Sequence, residues 1–589
     1  MLRQDLVRDL TTVGTNSEAV VGIDFGSNNT CMYYNTPNRG TNPIVFGNYR
    51  AVLVGRENNN PKAIAENNEL LFFTNYPSEN GQLKSWLHEH DSRYVGANQS
   101  SEVAGGVPVN RPNVRVQEMN EWEIKTQAGI LHYNMKWLDD DKGREKKRAF
   151  LKSIWLQACA FLYTNRVHPE EIFWSYPGSM MTSDRDELEG IFEDLCKITP
   201  FGRKPELANK LFTEAEAVCS YAMSQEFGLN SNNMFLGIDV GGSTSDILLI
   251  AKNPQNNNRY SLFRESSVRL AAGVFFDAVK KSEQYRQALV DFHEGHDTAV
   301  YVENIKEIID HPDKAPYYLN SIFDQLKNQD DYDAFYASLS SNAKFVFTIP
   351  AYVCGLLLFY SGMLIGKTIK LNRLGNIERI ELMPFGKGGR LFHWLRHASS
   401  SRTTNEFYNN CVNAGLQLII PDKTVSIKYH EEIENDNKTE VARGLCENNE
   451  LAIVDALNDC DICGETGVRF IKDGNTISIA PDDEISGEQF SDDMSYFDFS
   501  GVQNFEKFMD IFIKFVSKDT KLYHRAEDSL RDEICELPTR IISFCTNDPE
   551  YKKASKNNKN GEGFHYHQPI IIAEGACFLK SLISKVFNQ

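Results

Sequence analysis

Apolar and polar positions along the chain set out one design twice. Ala19 to Phe25 is a short apolar run, Gly26-Ser27-Asn28-Asn29 is turn chemistry, and Thr30 to Tyr34 is a second β-prone run. That pattern predicts a strand, a tight turn and a returning strand, with Asp24 at the lip. The pattern returns in Asn233 to Lys252: an apolar strand reaches Asp239, Gly241-Gly242-Ser243-Thr244 turns the chain, and a second apolar strand leaves. The two aspartates stand 215 positions apart, a spacing that suggests two similar lobes rather than a short solenoid.

Other elements follow from the same patterning. Between Lys142 and Asn165, Phe150, Leu151, Ile154, Trp155, Ala158, Phe161 and Leu162 recur at three-to-four spacing and predict a helix. Its basic start, KGREKKR, reads as a solvated face. Glu171 to Tyr176 is a short buried strand closed by Pro177-Gly178, and Ser183 is placed to cap the next helix. After the strand IERIELMPF, a third glycine turn, Gly386-Lys387-Gly388-Gly389-Arg390, opens the helix LFHWLRHA.

Phe345 to Gly366 is uncharged for 22 residues, long enough to span a bilayer. It also carries Thr348, Pro350, Tyr352, Tyr360, Ser361 and three glycines, and reads better as a buried helix of a large core. Its last part, Gly362 to Thr368, falls one residue short of the phosphate-binding GxxxxGK[ST] spacing and is a decoy.

Composition narrows the function. At 589 residues about four structural units are expected. Against 81 acidic residues stand 62 basic ones, a net charge of −19, which argues against a nucleic-acid binder because such affinity comes from neutralising phosphates. Twelve cysteines are scattered, and the N-terminus has no apolar core of signal-peptide length, so a cytoplasmic location with free thiols is expected. Cys460 and Cys463 form the one close pair, and without a second knuckle they read as thiols rather than zinc ligands.

Backbone N–H groups clustered in a tight turn bind anions, and Gly or Ser lets the chain come close. Two such turns, each preceded by an aspartate, point to a polyphosphate, with the aspartates holding Mg²⁺ mostly through water. Hydroxyls of Ser27, Thr30 and Thr244 would add donors.

These residues carry a resemblance. GIDFGSNNTC resembles the first phosphate motif of the ATPase superfamily that contains actin, sugar kinases and the seventy-kilodalton heat-shock chaperones, and is closest to the chaperone form. IDVGGSTSD is similar to the second phosphate motif, and ELMPFGKGGRLFHWL to the adenosine motif. IFWSYPGSMMTSDRDEL, LFTEAEAVCSYAM, VRLAAGVFFDAV and KTEVARGLC resemble the family's intervening segments in order, over roughly residues 19–450.

The resemblance implies an α/β fold: two actin-like ATPase lobes with ribonuclease-H-like mixed sheets around a nucleotide cleft, plus an α+β C-terminal region. The expected division is a tail at 1–18, lobe I at 19–230, lobe II at 231–450 and an accessory region at 451–589. ATP or ADP with Mg²⁺ is the implied ligand. Asp24 and Asp239 would organise the metal and, with Glu214 and Lys84, form the catalytic set. Gly26, Ser27, Asn28, Asn29 and Gly241, Gly242, Ser243, Thr244 would cradle the phosphates, with Gly273 beside them. Gly386, Lys387, Gly388 and Arg390 would lie against the adenosine. Water would attack the terminal phosphate in line, oriented by Glu214 or Asp239, with catalysis from positioning and fixed donors.

Three departures from the family pattern matter: Ser27 and Asn28 in the first turn, Lys387 in the adenosine turn, and the lack of an acidic-leucine linker after KTEVARGLC. The last 140 residues begin with a hairpin turning at Asp473-Gly474 and end in PIIIAEGACFLKSLISKVF, read as a buried strand into a helix. This last run also resembles the family's closing helix, which would make 446–568 an insertion. The leading expectation is a chaperone-like ATPase that signals to a protein partner or client, with no nucleic acid and no membrane involved. The alternatives are a polymerising actin-like or scaffold protein and a small-molecule kinase. For a kinase, Asp246 is a poor base because it lies a strand beyond the turn.

Overall fold

The computed structural model of the chain describes residues 17–26, 29–46, 82–85, 87–90, 107–108, 119–120, 123–125, 129–132, 135–138, 142–177, 180, 182–209, 211–224, 230–242, 244–254, 259–294, 329–430, 439–447, 452–453, 461–472, 475–484, 497–499, 501–518, 534, 536–541, 543–544 and 568–587. The chain divides into two compact units. One comprises Met1–Glu226, Asn320–Gln325 and Asp436–Glu450; the other comprises Phe227–Leu319, Leu326–Asn435 and Leu451–Gln589.

The first unit opens with β1 (Ser17–Phe25), β2 (Asn29–Thr36), β3 (Gly40–Pro43) and β4 (Gln82–Lys84). A separate five-stranded sheet is made by β5 (Leu87–His90), β6 (Val107–Pro108), β7 (Met119–Asn120), β8 (Glu123–Lys125) and β9 (Gly129–His132). β10 (Val167–Tyr176), β11 (Glu206–Leu207) and β12 (Phe212–Thr213) complete the main sheet. Its order is β3-β2-β1-β10-β11, with β4 beside β2 and β12 beside β10. β1 to β3 are antiparallel neighbours, whereas β10 runs parallel to β1 and to β11.

Strand alternation sorts β1 onto two faces. Val21, Ile23 and Phe25 enter a core with Phe150, Ile154 and Trp155 of the helix Gly143–Thr164. Phe25 and Phe150 lie 5.8 Å apart between ring centroids, and Trp174 stacks on Phe192 at 4.8 Å. Each such burial contributes on the order of 1.5–3 kcal/mol. The basic start of the helix Gly143–Thr164 is a solvated face only in part, with Lys142, Arg144 and Arg148 exposed. Lys146 and Lys147 are buried, Lys147 pairs with Glu187 at 2.9 Å and Arg148 with Asp194 at 3.0 Å, so these cations meet the acidic side of the helix Thr182–Ile198. That second helix has already begun at Thr182, which places Ser183 inside its first turn rather than at the cap.

The second unit repeats the strand plan. β13 (Asn233–Val240), β14 (Ser245–Asn253) and β15 (Arg259–Val268) are antiparallel neighbours; β16 (Arg379–Phe385) runs parallel to β13, and β17 (Ser426–Tyr429) parallel to β16. The order β15-β14-β13-β16-β17 matches β3-β2-β1-β10-β11 strand for strand and in direction. At the far end from the glycine turn, buried Glu381 accepts from Asn233, Arg379 and His430 and ties β13, β16 and the end of β17 together.

Elements after residue 450 join this second unit. β18 (Ala452–Ile453) adds a parallel strand beside β15. β19 (Val468–Lys472), β20 (Asn475–Ile479) and β21 (Phe497–Phe499) form a small antiparallel sheet. Lys472 faces Asn475, the register that a two-residue turn imposes; Asp473 and Gly474 themselves lie outside the described residues. The helices Gln503–Lys518 and Ile570–Phe587 pack on the long apolar helix Thr348–Asn372. Phe407 stacks on Phe515 at 4.1 Å, and Tyr352 stacks on Phe578 at 5.7 Å.

That packing explains the uncharged run. From Thr348 to Gly366 every residue is buried inside the protein. Its glycines serve close helix contact: a Cβ at Gly362 would strike the Val412 carbonyl, and one on Gly415 of the facing helix Ser401–Ile419 would strike Phe359. PIII is not a strand. The helix begins at Ile570 directly after Pro569, whose carbonyl accepts from Ile572 and Ala573, so a run of β-branched residues is overridden by a proline-led first turn.

Candidate functional site

In the first unit the turn between β1 and β2 is closed by Gly26 N donating to Asn29 O at 3.1 Å. The Gly26 N–H is thereby occupied inside the turn. Ser27 and Asn28 lie outside the described residues. Thr30 Oγ1 and Ser85 Oγ share a hydrogen bond of 2.9 Å, and Ser85 donates to Gly26 O at 2.5 Å. Ser85 reaches the turn because β4 pairs with β2, with Lys84 opposite Asn29 and Leu83 opposite Thr30. Lys84 is thus on a strand; its side chain is outside the described residues. The sequence reading passed over Ser85, since a lone serine 59 positions from Gly26 carries no local signal.

Asp24 is buried, 3% exposed, one residue before the end of β1. It shares a sheet face with Gly22, and Cys31 stands opposite it on β2. The helix Glu440–Glu447 covers this face. A Cβ on Gly22 would strike the Ala442 carbonyl and come within 2.8 Å of Leu445 Cβ, and Cys31, Tyr33, Ala442 and Cys446 form one apolar cluster. Burial there pushes the Cys446 thiol well above its usual range.

The carboxyl ends of β1, β10 and β12 meet at one edge: Ile23 is level with Trp174, and Ser175 with Phe212. Glu214 follows β12 directly as the first residue of the helix Glu214–Ser224. A capping box fixes that start. Glu216 N donates to Thr213 Oγ1 at 3.0 Å and Thr213 N donates to Glu216 Oε2 at 2.9 Å, which satisfies two otherwise orphaned donors. Lys136 Nζ donates to Glu214 Oε1. Nothing in the local sequence around Lys136 marks it, because its partner stands 78 positions away.

In the second unit Gly241 N donates to Thr244 O at 2.8 Å, closing the turn after β13. The carbonyls of Gly241 and Gly242 accept from Ala272 N and Gly273 N at 3.1 and 2.9 Å, so the start of the helix Gly273–Lys281 is fastened to the turn. Ser243 lies outside the described residues. A Cβ on Gly388 would strike Val240 Cγ1 at 2.6 Å and Ala272 Cβ at 2.8 Å. Gly386 has φ +68° and crowds Asp239 Oδ1, a place only glycine fills without strain. Gly388 leads, through the short 3₁₀ turn Lys387–Gly389, into the helix Arg390–Ala398, which Arg390 begins half-buried; the Lys387 side chain is outside the described residues. Asp239, Gly241, Gly242, Thr244, Gly273, Gly386 and Gly388 are thus brought together by three loops.

Asp246 stands directly opposite Asp239 in the β13/β14 register and is 7% exposed. Residues so paired share a face with Cβ atoms about 5 Å apart. It lies on the strand beyond the turn, as expected, and there stands beside Asp239. Cys463 is buried with its thiol on Glu465 O, Cys460 lies outside the described residues, and among the described residues no group of three or more His, Cys, Asp or Glu comes together as a metal cage.

No protein-family model matches the chain, and a search of curated proteins finds no match. Among solved structures the chain is similar to MreB5 of Spiroplasma citri bound to ADP, at 14% identity and a TM-score of 0.25, over 45% of this chain. The match spans 56% of that protein's chain, little more than half its length. The strand orders and registers given above define this protein as a mixed α/β fold with two mixed sheets of the same plan.

Proposed function

We propose that the chain is a nucleotide-binding protein of the actin-like ATPase superfamily that binds ATP or ADP through its glycine turns and hydrolyses ATP. The observation that carries this is the repeated sheet, three antiparallel strands followed by two parallel ones, with an aspartate before a glycine turn at the same place in each. A tight turn at the end of such a hairpin brings backbone donors and a carboxylate side by side, the combination a phosphate and its counter-ion need.

Mg²⁺ suits the donor set. Asp239 and Asp246 offer hard carboxylate oxygens on one face, and like charges set directly opposite are relieved by a cation. Asp24 offers another in the first unit. Bound there, the ion would neutralise phosphate charge. The residues themselves would position the nucleotide: Gly386 and Gly388 keep the adenosine turn close to Asp239 and Val240, and Arg390 begins the helix that follows.

Within the superfamily we place the protein nearest the heat-shock chaperones, acting on a protein partner, on the order of motifs between residues 19 and 450. An ATP titration with product analysis tests both levels. Asp239→Ala is expected to remain folded and to lose ATP turnover by roughly two orders of magnitude or more; normal turnover in that variant would overturn the site. Turnover stimulated by unfolded peptide supports the chaperone reading, ATP-dependent pelleting a filament, and phosphate transfer to a metabolite a kinase.

A further inference from the structure

Glu214 is held from two sides. The Thr213–Glu216 capping box sets the first turn of its helix, and Lys136 Nζ holds its Oε1. The Lys136 side chain is only 1% exposed, against 21% for Glu214. Taking an ammonium out of water costs several kcal/mol, and a buried ion pair is commonly no more stable than apolar side chains of the same size. Fold stability therefore gives no reason for a lysine in so buried a place.

Its location gives one. At this edge β1, β10 and β12 end, Asp24 stands next to the last residue of β1, and Ser85 and Thr30 gather at the Gly26 turn. We propose that Lys136 is a positioning residue: it pins one oxygen of Glu214 so that the carboxylate orients the water that attacks the terminal phosphate. This rests on the ATP-hydrolysing function proposed above and assigns the water to Glu214 rather than Asp239. In that step the water oxygen bonds to the terminal phosphorus while the bond from phosphorus to the ADP oxygen breaks. ADP leaves with that electron pair, phosphate forms, and one proton is released.

The test is steady-state ATP hydrolysis by the full chain, with affinity for a fluorescent ATP analogue measured separately. Lys136→Met should lower kcat roughly tenfold or more with nucleotide affinity within about twofold of wild type, the split that marks a lost transition-state interaction. Lys136→Arg, which keeps the charge, should recover part of that loss. Glu214→Gln should be as slow as Lys136→Met, and the double variant no slower than Glu214→Gln alone. If Lys136→Met does not fold, Lys136→Gln, which keeps a donor, takes its place with the same expectations. Wild-type kcat in the neutral variant, or a further tenfold loss in the double variant, overturns the inference while leaving the nucleotide function standing. A wild-type chain that binds no nucleotide overturns both.

Discussion

The two glycine-turn hairpins share a backbone plan and differ in what surrounds them. Gly22-Ile23-Asp24 and Gly237-Ile238-Asp239 occupy the same places on β1 and β13. In the first unit the face carrying Gly22 and Asp24 is covered by the helix Glu440–Glu447, and the residue opposite the aspartate is Cys31, inside an apolar cluster. In the second unit Gly237 lies among side chains of Phe235, Phe385 and Leu248, and the residue opposite the aspartate is another, Asp246. The turns are braced differently as well. Hydroxyls of Ser85 and Thr30 hold the first, whereas the backbone of residues 272–273 and the close approach of Gly386 and Gly388 hold the second. One plan therefore carries two different surroundings: a single carboxylate under a helix, and two carboxylates directly opposite one another.

Exchanging the opposing residues should break this contrast most sharply. Cys31→Asp buries a carboxylate against Ala442 and Cys446 and should cost about 3 kcal/mol or more in chemical denaturation. Asp246→Cys removes a like-charge pair, and in metal-free buffer should change stability by no more than about 1 kcal/mol. Equal costs would mean that the two faces are not differently packed.

A smaller effect separates the glycines. Gly22→Ala drives a methyl into a backbone carbonyl and should cost about 1–3 kcal/mol. Gly237→Ala meets only side-chain atoms at 3.0–3.3 Å, which can shift, and should cost less than about 1 kcal/mol. Unfolding followed separately for each unit reads the difference, and a reversed order would refute the helix contact as its cause. The smallest effect belongs to Ser85→Ala. It removes a hydroxyl bonded to Gly26 O and Thr30 and should cost about 1 kcal/mol, with a modest loss of nucleotide affinity in titration. No change in either would detach Ser85 from the turn.

Local patterns made the hairpins legible because their information lies within about twenty residues: an apolar run, a glycine turn, an apolar run. The helix Gly143–Thr164 was legible for the same reason, with its bounds within a residue of the expectation. Where neighbours in space decide, local reading went astray. The basic start of that helix looked solvated throughout, but Lys146 and Lys147 are buried and Lys147 pairs with Glu187 of the helix Thr182–Ile198. PIII looked like a strand, yet burial against the helix Thr348–Asn372 suits a helix equally well. The helix Glu440–Glu447, expected with the second lobe, packs on β1 and β2 of the first unit.

By itself, the sequence determined that there are two β-turn-β hairpins, each with an aspartate before a glycine turn, and that one long apolar segment needs a buried place. Period, turn chemistry and glycine spacing are local properties, and they survive without knowledge of the partners. Only the tertiary structure decided that Asp246 faces Asp239, that Lys136 holds Glu214, that Ser85 closes on Gly26, and that the elements after residue 450 cover the apolar helix. Each of these pairings joins residues through register or packing. A one-residue slip in a strand would turn Asp246 to the other face, so its pairing rests on the register that the closed Gly241–Thr244 turn sets.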